Sequence, residues 1–237
     1  MKKIYICGDS FGCPDLGWEI DPWPVLLQQK LGADYEITNF SISCASNFLI
    51  RIQVDLAIDA EADFIIMLAT TCTRSQGKLK NKKTQYKNIY DRFCRIGQLD
   101  LDEHKRDLAC YSMRSLDETC VFSGTELNTL KEYRTDIFDL ELSVLENQFI
   151  IESSLHKIKN YDIPFLFDQG GFENPIFGDV YHDNYFAEFS NNKTEINQWT
   201  MAHQLLKPRQ PHFHIVDAES HSKIANYYRQ KILAMLQ

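Results

Sequence analysis

Short apolar runs alternate with longer segments of helical apolar spacing in the first third of the chain. Runs at 3–8, 35–40 and 63–69 predict three strands, and the third is continuously apolar, which is typical of a strand covered on both faces. Between them, residues 23–31 and 46–58 place apolar side chains at roughly the 3.6-residue helical period. This alternation of strand and helix predicts a parallel sheet with right-handed crossover connections.

The alternation stops after the third predicted strand. Residues 75–135 are polar and mostly helical in pattern, and we interpret them as an insertion or lid. A long amphipathic helix over 136–160 and a fourth strand over 163–167 then resume the pattern. We therefore expect one α/β domain covering residues 1–237, with a central parallel sheet and a mostly helical insertion.

The C-terminal part of the chain has weaker periodicity. An aromatic-rich loop is predicted over 172–192, followed by a helix over about 193–206. The last helix is predicted to begin at Asp217, because an aspartate carboxylate is a favoured N-cap.

Composition narrows the range of partners. The 237 residues include 44% hydrophobic residues, as a packed core requires, and the net charge of −8 argues against a nucleic-acid partner. No apolar run approaches the roughly 18 residues of a membrane span, and the first apolar run ends too early for a signal peptide. Seven cysteines without a Cys-x-x-Cys pair predict reduced thiols in a cytoplasmic protein, with no metal site and no cofactor. The sequence does not specify an oligomeric state.

The first predicted strand ends at Gly8-Asp9-Ser10, and this turn carries the candidate chemistry. Ligands of a parallel α/β sheet bind beyond the carboxyl ends of its strands, so the Ser10 hydroxyl is a candidate nucleophile. A serine nucleophile needs a base and donors for the oxyanion that forms. His214, shortly before the last helix, is the predicted base, and His212 is the alternative.

Donors for the oxyanion are expected from the neighbouring strand ends. The backbone N–H groups of Ser10 and Cys44 are the main candidates. Side chains expected to donate to the oxyanion or to line the substrate site follow the second and third strands, and they are Asn47, Thr70, Thr71 and Cys72. Asn47 is equally well interpreted as a cap of the second helix. Arg74 is a candidate partner for a substrate anion, with a surface ion pair as the alternative.

Gly8-Asp9-Ser10-Phe11 resembles block one of the SGNH (GDSL) hydrolase superfamily. Later segments resemble the remaining blocks in the same order. They are Asn39 with the turn 43–47, the strand 63–69 with Thr70-Thr71-Cys72, His214, and the helix start at 221–225. The resemblance covers about 1–74 and 137–237. It implies a flavodoxin-like, three-layer α/β/α fold and ester hydrolysis through an acyl-serine.

The chain departs from the pattern of this family at three positions. The oxyanion glycine of block two falls at Cys44, the asparagine of block three at Cys72, and the aspartate before the histidine at Pro211. Loss of one oxyanion donor lowers a rate by roughly 10²–10³-fold. The site is then either a Ser–His dyad or a triad completed by another carboxylate, for which the alternatives are Asp217, Glu219 and Asp168.

Together these features predict a serine esterase acting on a small-molecule ester. Five lysines at 78–87 follow the third strand and are either a solvated face or a surface that attracts an anionic substrate. The three departures leave two alternatives open. One is a catalytically degenerate binding protein of the same fold, and the other is a phosphodiester or acyl-transfer activity that uses the same serine on an anionic substrate.

Overall fold

The computed structural model describes the N-terminal third of the chain, its long helices and its C-terminal helix. The described residues are 1–9, 11–13, 21–42, 45–72, 74–78, 108–112, 125–168, 215 and 218–236. Only the backbone is described for 75–78, 108–112 and 125–127. The predicted loop at 172–192 and the predicted helix at 193–206 lie outside these ranges.

The described elements follow one another along the chain in an order that alternates strands and helices except near residues 74–136. They are β1 (Lys2–Cys7), α1 (Trp23–Leu31), β2 (Tyr35–Asn39), α2 (Asn47–Asp59), β3 (Phe64–Leu68), β4 (Arg74–Lys78), β5 (Leu108–Ser112), α3 (Thr125–Asp136), α4 (Leu140–Asn160), β6 (Phe165–Asp168) and α5 (Ala218–Met235).

Four strands form a parallel sheet in the order β2-β1-β3-β6. Ile4 of β1 is in register with Ile37 of β2 on one side and with Phe64 of β3 on the other. Beyond β3, Ile66 pairs with Leu166 of β6. This is the strand order of flavodoxin-like doubly wound sheets, in which the first strand lies between the second and the third.

Helices cover both faces of this sheet. The cluster on one face joins the sheet to α1 and α5, and its buried members include Ile6, Ile66, Trp23, Leu27 and Tyr228. The cluster on the other face joins the sheet to α2 and α4, and its buried members include Ile65, Met67, Val54, Ile151 and Leu155. Each fully buried aliphatic side chain stabilises the fold by about 1.5–3 kcal/mol. The predicted three-layer α/β/α architecture is therefore confirmed.

Two helices begin at side-chain caps. The Ser46 hydroxyl accepts the Leu49 N–H at 3.3 Å and begins α2, while the Asp139 carboxylate accepts the Leu142 N–H at 3.0 Å and begins α4. The cap of α2 is thus Ser46, and Asn47 is the first helical residue. Among the described residues, none of the helices combines the length and apolar character that a membrane crossing needs.

The described part of the insertion contains two strands that the sequence does not predict. α3 is helical as expected, but β4 and β5 pair as an antiparallel two-stranded sheet with Gln76 opposite Cys110. Neither strand has the alternating apolar pattern of a half-buried strand. The two strands are stabilised by hydrogen bonds to each other, although the segment 79–107 separates them in the sequence. Local periodicity does not predict a pairing between such distant segments.

Gly12 lies in the turn after β1, where its N–H donates to the Asp9 carbonyl at 3.1 Å. A Cβ atom at position 12 would lie 2.2 Å from the Ser41 Oγ and 3.0 Å from the Ser41 Cβ. We expect Gly12→Ala to lower the free energy of unfolding by about 1–3 kcal/mol, because overpacking displaces the neighbouring chain. Urea unfolding followed by circular dichroism measures this change.

Ser41→Ala provides the matched second variant. The Ser41 Oγ is buried and has no hydrogen-bond partner among the described residues, so its removal breaks no described bond. Gly12→Ala/Ser41→Ala is expected to be more stable than Gly12→Ala alone, since the shortest contact is gone. Equal stability of the double and single variants would contradict this explanation.

Candidate active site

The Asp9 carboxylate is the centre of a buried polar cluster at the carboxyl end of β1. It is fully buried, and its Oδ1 accepts the Phe11 N–H at 2.9 Å. Its Oδ2 accepts the Thr70 hydroxyl at 2.8 Å and an N–H of Arg74. The carboxylate therefore joins the turn after β1 to the segment after β3, and it holds the residues on either side of Ser10.

Arg74 balances the charge of this carboxylate. Its side chain is 10% exposed, and its Nη1 forms an ion pair with Asp9 Oδ2. The same nitrogen donates to the Ala45 carbonyl at 3.4 Å, a longer contact. A buried carboxylate is costly without a paired cation and hydrogen bonds, and both are present here. The surface ion pair considered as an alternative for Arg74 is thus a largely buried one.

Gln53 of α2 binds the backbone of Gly8, the residue before Asp9. Its Oε1 accepts the Gly8 N–H at 2.6 Å, and its Nε2 donates to the Gly8 carbonyl at 3.1 Å. That carbonyl also accepts the Ile42 N–H at 3.1 Å. Gln53 is fully buried, so these bonds are shielded from water and fix the exit of the chain from β1.

The segment after β3 is held from two helices. The Asn47 Oδ1 accepts the Thr70 N–H at 2.8 Å, and its Nδ2 donates to the Thr70 carbonyl at 2.9 Å and to the Asn147 Oδ1 at 2.8 Å. The Cys72 carbonyl accepts the Ser143 hydroxyl at 2.8 Å and the Asn147 Nδ2 at 3.3 Å. These contacts connect α2 and α4 through the backbone of residues 70–72.

These bonds change the interpretation of two predicted side chains. Both amide protons of Asn47 are donated to protein acceptors, and the Thr70 hydroxyl proton is donated to Asp9. Both residues are fully buried. Their contacts are those of residues that build the wall of the site, and no described proton of either side chain remains for an oxyanion.

The structure brings together four of the predicted site residues: Asn47, Thr70, Cys72 and Arg74 surround Asp9 or the segment next to it. Thr71 lies between Thr70 and Cys72 in the same segment and is half-buried. Five other predicted residues lie outside the described ranges, and they are Ser10, Cys44, His212, His214 and Asp217. Phe11, which follows Ser10, and Ile215, which follows His214, are buried in the same cluster on the α1 and α5 face.

Asp168, an alternative third triad member, belongs to a different network. Its Oδ2 accepts the Tyr228 hydroxyl at 2.9 Å. Burial raises the pKa of Asp168 to about 7, although the Tyr228 hydrogen bond and the Lys231 charge oppose that rise. The Tyr228 ring packs on the Trp23 ring with centroids 4.8 Å apart, and the Trp23 indole N–H donates to the Phe11 carbonyl at 2.9 Å. The network therefore connects the end of β6 to the residue that follows Ser10.

Other predicted polar residues serve as fold contacts. The Nδ1 of His221 accepts the Trp23 N–H at 3.0 Å, so this histidine connects α5 to α1. Glu219, another alternative acid, is mostly exposed and pairs with Lys223 at 2.8 Å on the same helix. Burial raises the pKa of the Cys7 thiol, so this cysteine stays protonated and is a poor nucleophile.

Sequence reasoning missed three residues that build the site: Gln53, Ser143 and Asn147. Each is a buried polar residue on the apolar face of a helix. That combination is itself a signal, because buried amides and hydroxyls are placed where a backbone group needs a partner. Helical periodicity marks such positions, but it does not say which backbone group they contact.

The fold and the polar cluster define this chain as a doubly wound α/β protein with a buried polar cluster at the carboxyl edge of its sheet.

No protein-family model matches the chain, and no curated protein matches it in sequence. Among solved structures, it is similar to the native aryl esterase of M. smegmatis, with 12% identity over 99% of this chain and 100% of that chain and a TM-score of 0.39. It is also similar to the carbohydrate acetylesterase Est24 of Sinorhizobium meliloti, with 9% identity over 99% of both chains and a TM-score of 0.36. A third similar structure is the lipase/acylhydrolase of Enterococcus faecalis, with 9% identity over 98% of this chain and 97% of that chain and a TM-score of 0.35. The fold assignment itself rests on the strand order and the two helical layers.

The raised pKa of Asp168 predicts a pH-dependent contribution to stability. An unfolded aspartate has a pKa of about 3.9. Between about pH 4 and 7 the folded protein keeps a proton on Asp168 that the unfolded chain has lost, so this group favours unfolding as pH rises, by up to about 1.4 kcal/mol per pH unit. Asp168→Asn stays neutral and still accepts from Tyr228. We expect its free energy of unfolding to increase relative to that of the wild type from pH 4 to pH 7.

Urea unfolding at each pH, with the difference between variant and wild type as the readout, cancels the contribution of all other carboxylates. Asp34→Asn, which replaces an exposed carboxylate in the turn before β2, is the control. A difference for Asp168→Asn that stays constant across this range would show that Asp168 is ionised in the folded protein.

Proposed function

We propose that the protein is a serine hydrolase that cleaves a carboxylic ester through an acyl-serine intermediate. Ser10 is the nucleophile and His214 is the base. The observation that carries this proposal is the buried network that holds Gly8 and Asp9 at the end of the central strand. Nucleophilic catalysis requires a fixed nucleophile, and Gln53, Thr70 and Arg74 fix the chain immediately before residue 10.

The described neighbours of the two catalytic residues support the same site. Phe11 follows Ser10 and Ile215 follows His214, and both side chains are buried in one cluster. Trp23 adds a hydrogen bond to the Phe11 carbonyl from the same cluster. The residues that follow Ser10 and His214 thus pack in the same layer of the fold, although most of the sequence separates them.

The reaction follows the chemistry of serine esterases. The Ser10 oxygen attacks the ester carbonyl carbon, and His214 accepts the serine proton and gives it to the leaving alcohol. The N–H groups of Ser10 and Cys44 stabilise the oxyanion. A water molecule then gives a proton to the histidine and attacks the acyl-serine, and the serine recovers its proton as the acid leaves.

The substrate class is a small-molecule ester, and the lysines at 78–87 favour an anionic one by raising its local concentration. The segment 75–135 follows β3 along the chain and acts as the specificity element of a single cytoplasmic domain. This part of the proposal rests on the charge pattern and the position of the segment.

A binding protein without turnover is the second candidate. The asparagine of block three is replaced at Cys72, and two other predicted donor side chains, Asn47 and Thr70, donate their protons to the protein. An oxyanion site with only backbone donors loses roughly 10²–10³-fold in rate for each missing donor. This observation favours a slow or inactive site over a different chemistry.

Fluorophosphonate labelling tests the proposal without knowledge of the substrate. We expect one adduct by intact mass, located on Ser10 by peptide mapping, and hydrolysis of p-nitrophenyl acetate. Ser10→Ala is expected to lose the adduct and at least about 10³-fold of the rate, because the covalent step is gone. His214→Ala should lower the labelling rate more than His212→Ala.

Ser41→Ala is the matched control, since it removes a buried hydroxyl near the same turn and leaves Ser10 in place. It should be labelled at the wild-type rate. A folded wild-type protein that gives no adduct and no hydrolysis would refute the esterase and favour the binding protein. Wild-type activity in Ser10→Ala would exclude Ser10 as the nucleophile.

A further inference from the structure

We propose that Arg74 is a positioning residue that sets the separation of the two halves of the oxyanion site. The inference rests on the proposed function, in which the N–H groups of Ser10 and Cys44 hold the oxyanion. Arg74 touches the chain next to each of them. Its Nη1 contacts the Asp9 carboxylate on one side and the Ala45 carbonyl on the other.

The two contacts lie on separate segments of the chain. Asp9 follows β1 and precedes Ser10, whereas Ala45 lies between β2 and α2 and follows Cys44. Backbone hydrogen bonds tie part of this region together, since the Ile42 N–H donates to the Gly8 carbonyl at 3.1 Å. Arg74 adds a side-chain bridge between Asp9 and Ala45, the residues next to the proposed donors in the sequence. Oxyanion catalysis depends on donors held at a fixed distance, so this bridge has a direct effect on the rate.

Charge gives Arg74 a second effect on the same site. Asp9 is the residue adjacent to the proposed nucleophile, and its carboxylate is fully buried. An unbalanced negative charge there would repel the oxyanion, and the low dielectric of the interior would strengthen the repulsion. Thr70 and Phe11 donate hydrogen bonds to the carboxylate but carry no charge. Among the described contacts of Asp9, the neutralising charge comes from Arg74.

The side chain of arginine suits this position better than lysine. A guanidinium is planar, stays charged and directs its donors in a fixed geometry, whereas an ammonium is a compact charge on a flexible stem. One guanidinium nitrogen of Arg74 reaches two acceptors on different segments. Lysine would therefore keep the charge near Asp9 and weaken the bridge to Ala45.

Burial argues against a main role in substrate binding. The Arg74 side chain is 10% exposed, and its described contacts are with the protein. A residue that binds a substrate anion affects KM and favours anionic esters over neutral ones. A residue that positions the oxyanion site affects kcat for both kinds of ester, because the oxyanion forms only during the reaction.

The test compares Arg74→Met, Arg74→Lys and the wild type. The first readout is the second-order rate of fluorophosphonate labelling at Ser10. The second is kcat and KM for p-nitrophenyl acetate and for an anionic ester, the mono-p-nitrophenyl ester of succinic acid. We expect Arg74→Met to lower the labelling rate and kcat by about 10–10³-fold for both esters, with KM within about threefold. Arg74→Lys should recover only part of this loss.

Arg51→Met is the control for removal of an arginine. Arg51 forms an ion pair with Asp55 and donates to the Ser153 hydroxyl of α4 at 3.1 Å. It has no described contact with the Asp9 cluster, and its loss should leave both readouts within about twofold. Arg74→Met leaves a buried carboxylate unpaired and is prone to unfold. Asp9→Asn/Arg74→Met removes both charges, and it is measured at a temperature where thermal unfolding shows it to be folded. Its kcat is expected to stay below that of the wild type, because the bridge to Ala45 is still missing.

The outcomes separate the two proposals. If the wild type is labelled and Arg74→Met is labelled at the same rate, the positioning role is wrong and the esterase stands. If only the anionic ester is affected, through a higher KM, Arg74 binds substrate. A wild-type kcat for Asp9→Asn/Arg74→Met would also contradict the proposal, because it would show that the bridge to Ala45 does not affect the rate. A folded wild type that reacts with neither probe refutes the proposed function, and the positioning role falls with it.

Discussion

A buried carboxylate next to the candidate nucleophile is the constraint on which the site of this protein depends. Asp9 is fully enclosed, so its charge must be balanced and its oxygens must be hydrogen-bonded. Those requirements are met from the turn after β1 and from the segment after β3, through Phe11, Thr70 and Arg74. Loss of the Arg74 side chain would leave the Asp9 carboxylate buried without a cation. We therefore expect the turn after β1 to keep its structure only while the segment after β3 is in place.

Around this ion pair the fold replaces apolar packing with amides at selected positions. Gln53 binds the backbone of Gly8, and Asn47 and Asn147 bind the backbone of residues 70–72. Irregular segments at the edge of a sheet have backbone groups that no strand pairs, and burying them without partners would destabilise the protein. The amides of α2 and α4 supply those partners and also make the segments rigid. A second network, from Asp168 through Tyr228 and Trp23, reaches the Phe11 carbonyl from the opposite layer.

Much of the architecture was predictable from local pattern. The apolar runs of β1 and β3 and the periodic faces of α1 and α2 gave the parallel sheet and its layers, because strands buried on both faces and helices buried on one face impose those patterns. The antiparallel pairing of β4 with β5 was not predictable in this way, because each strand is stabilised by a partner on the other side of the segment 79–107. The roles of Asn47 and Thr70 were also incompletely predicted, since their position near the site was clear but their contacts were not.

The sequence by itself determined the parallel α/β sheet, the position of Gly8-Asp9-Ser10 at the end of the first strand, and the group of strand ends where chemistry is expected. These depend on hydrophobic periodicity and chain order, which are local properties. Only the tertiary structure decided that Arg74 pairs with Asp9 and that Gln53 binds the backbone of Gly8. It also decided that the Asn47 amide group donates to Thr70 and Asn147. Such choices depend on which buried groups meet across the sheet edge, and a hydrogen bond between residues far apart in the chain leaves no periodic trace in the sequence.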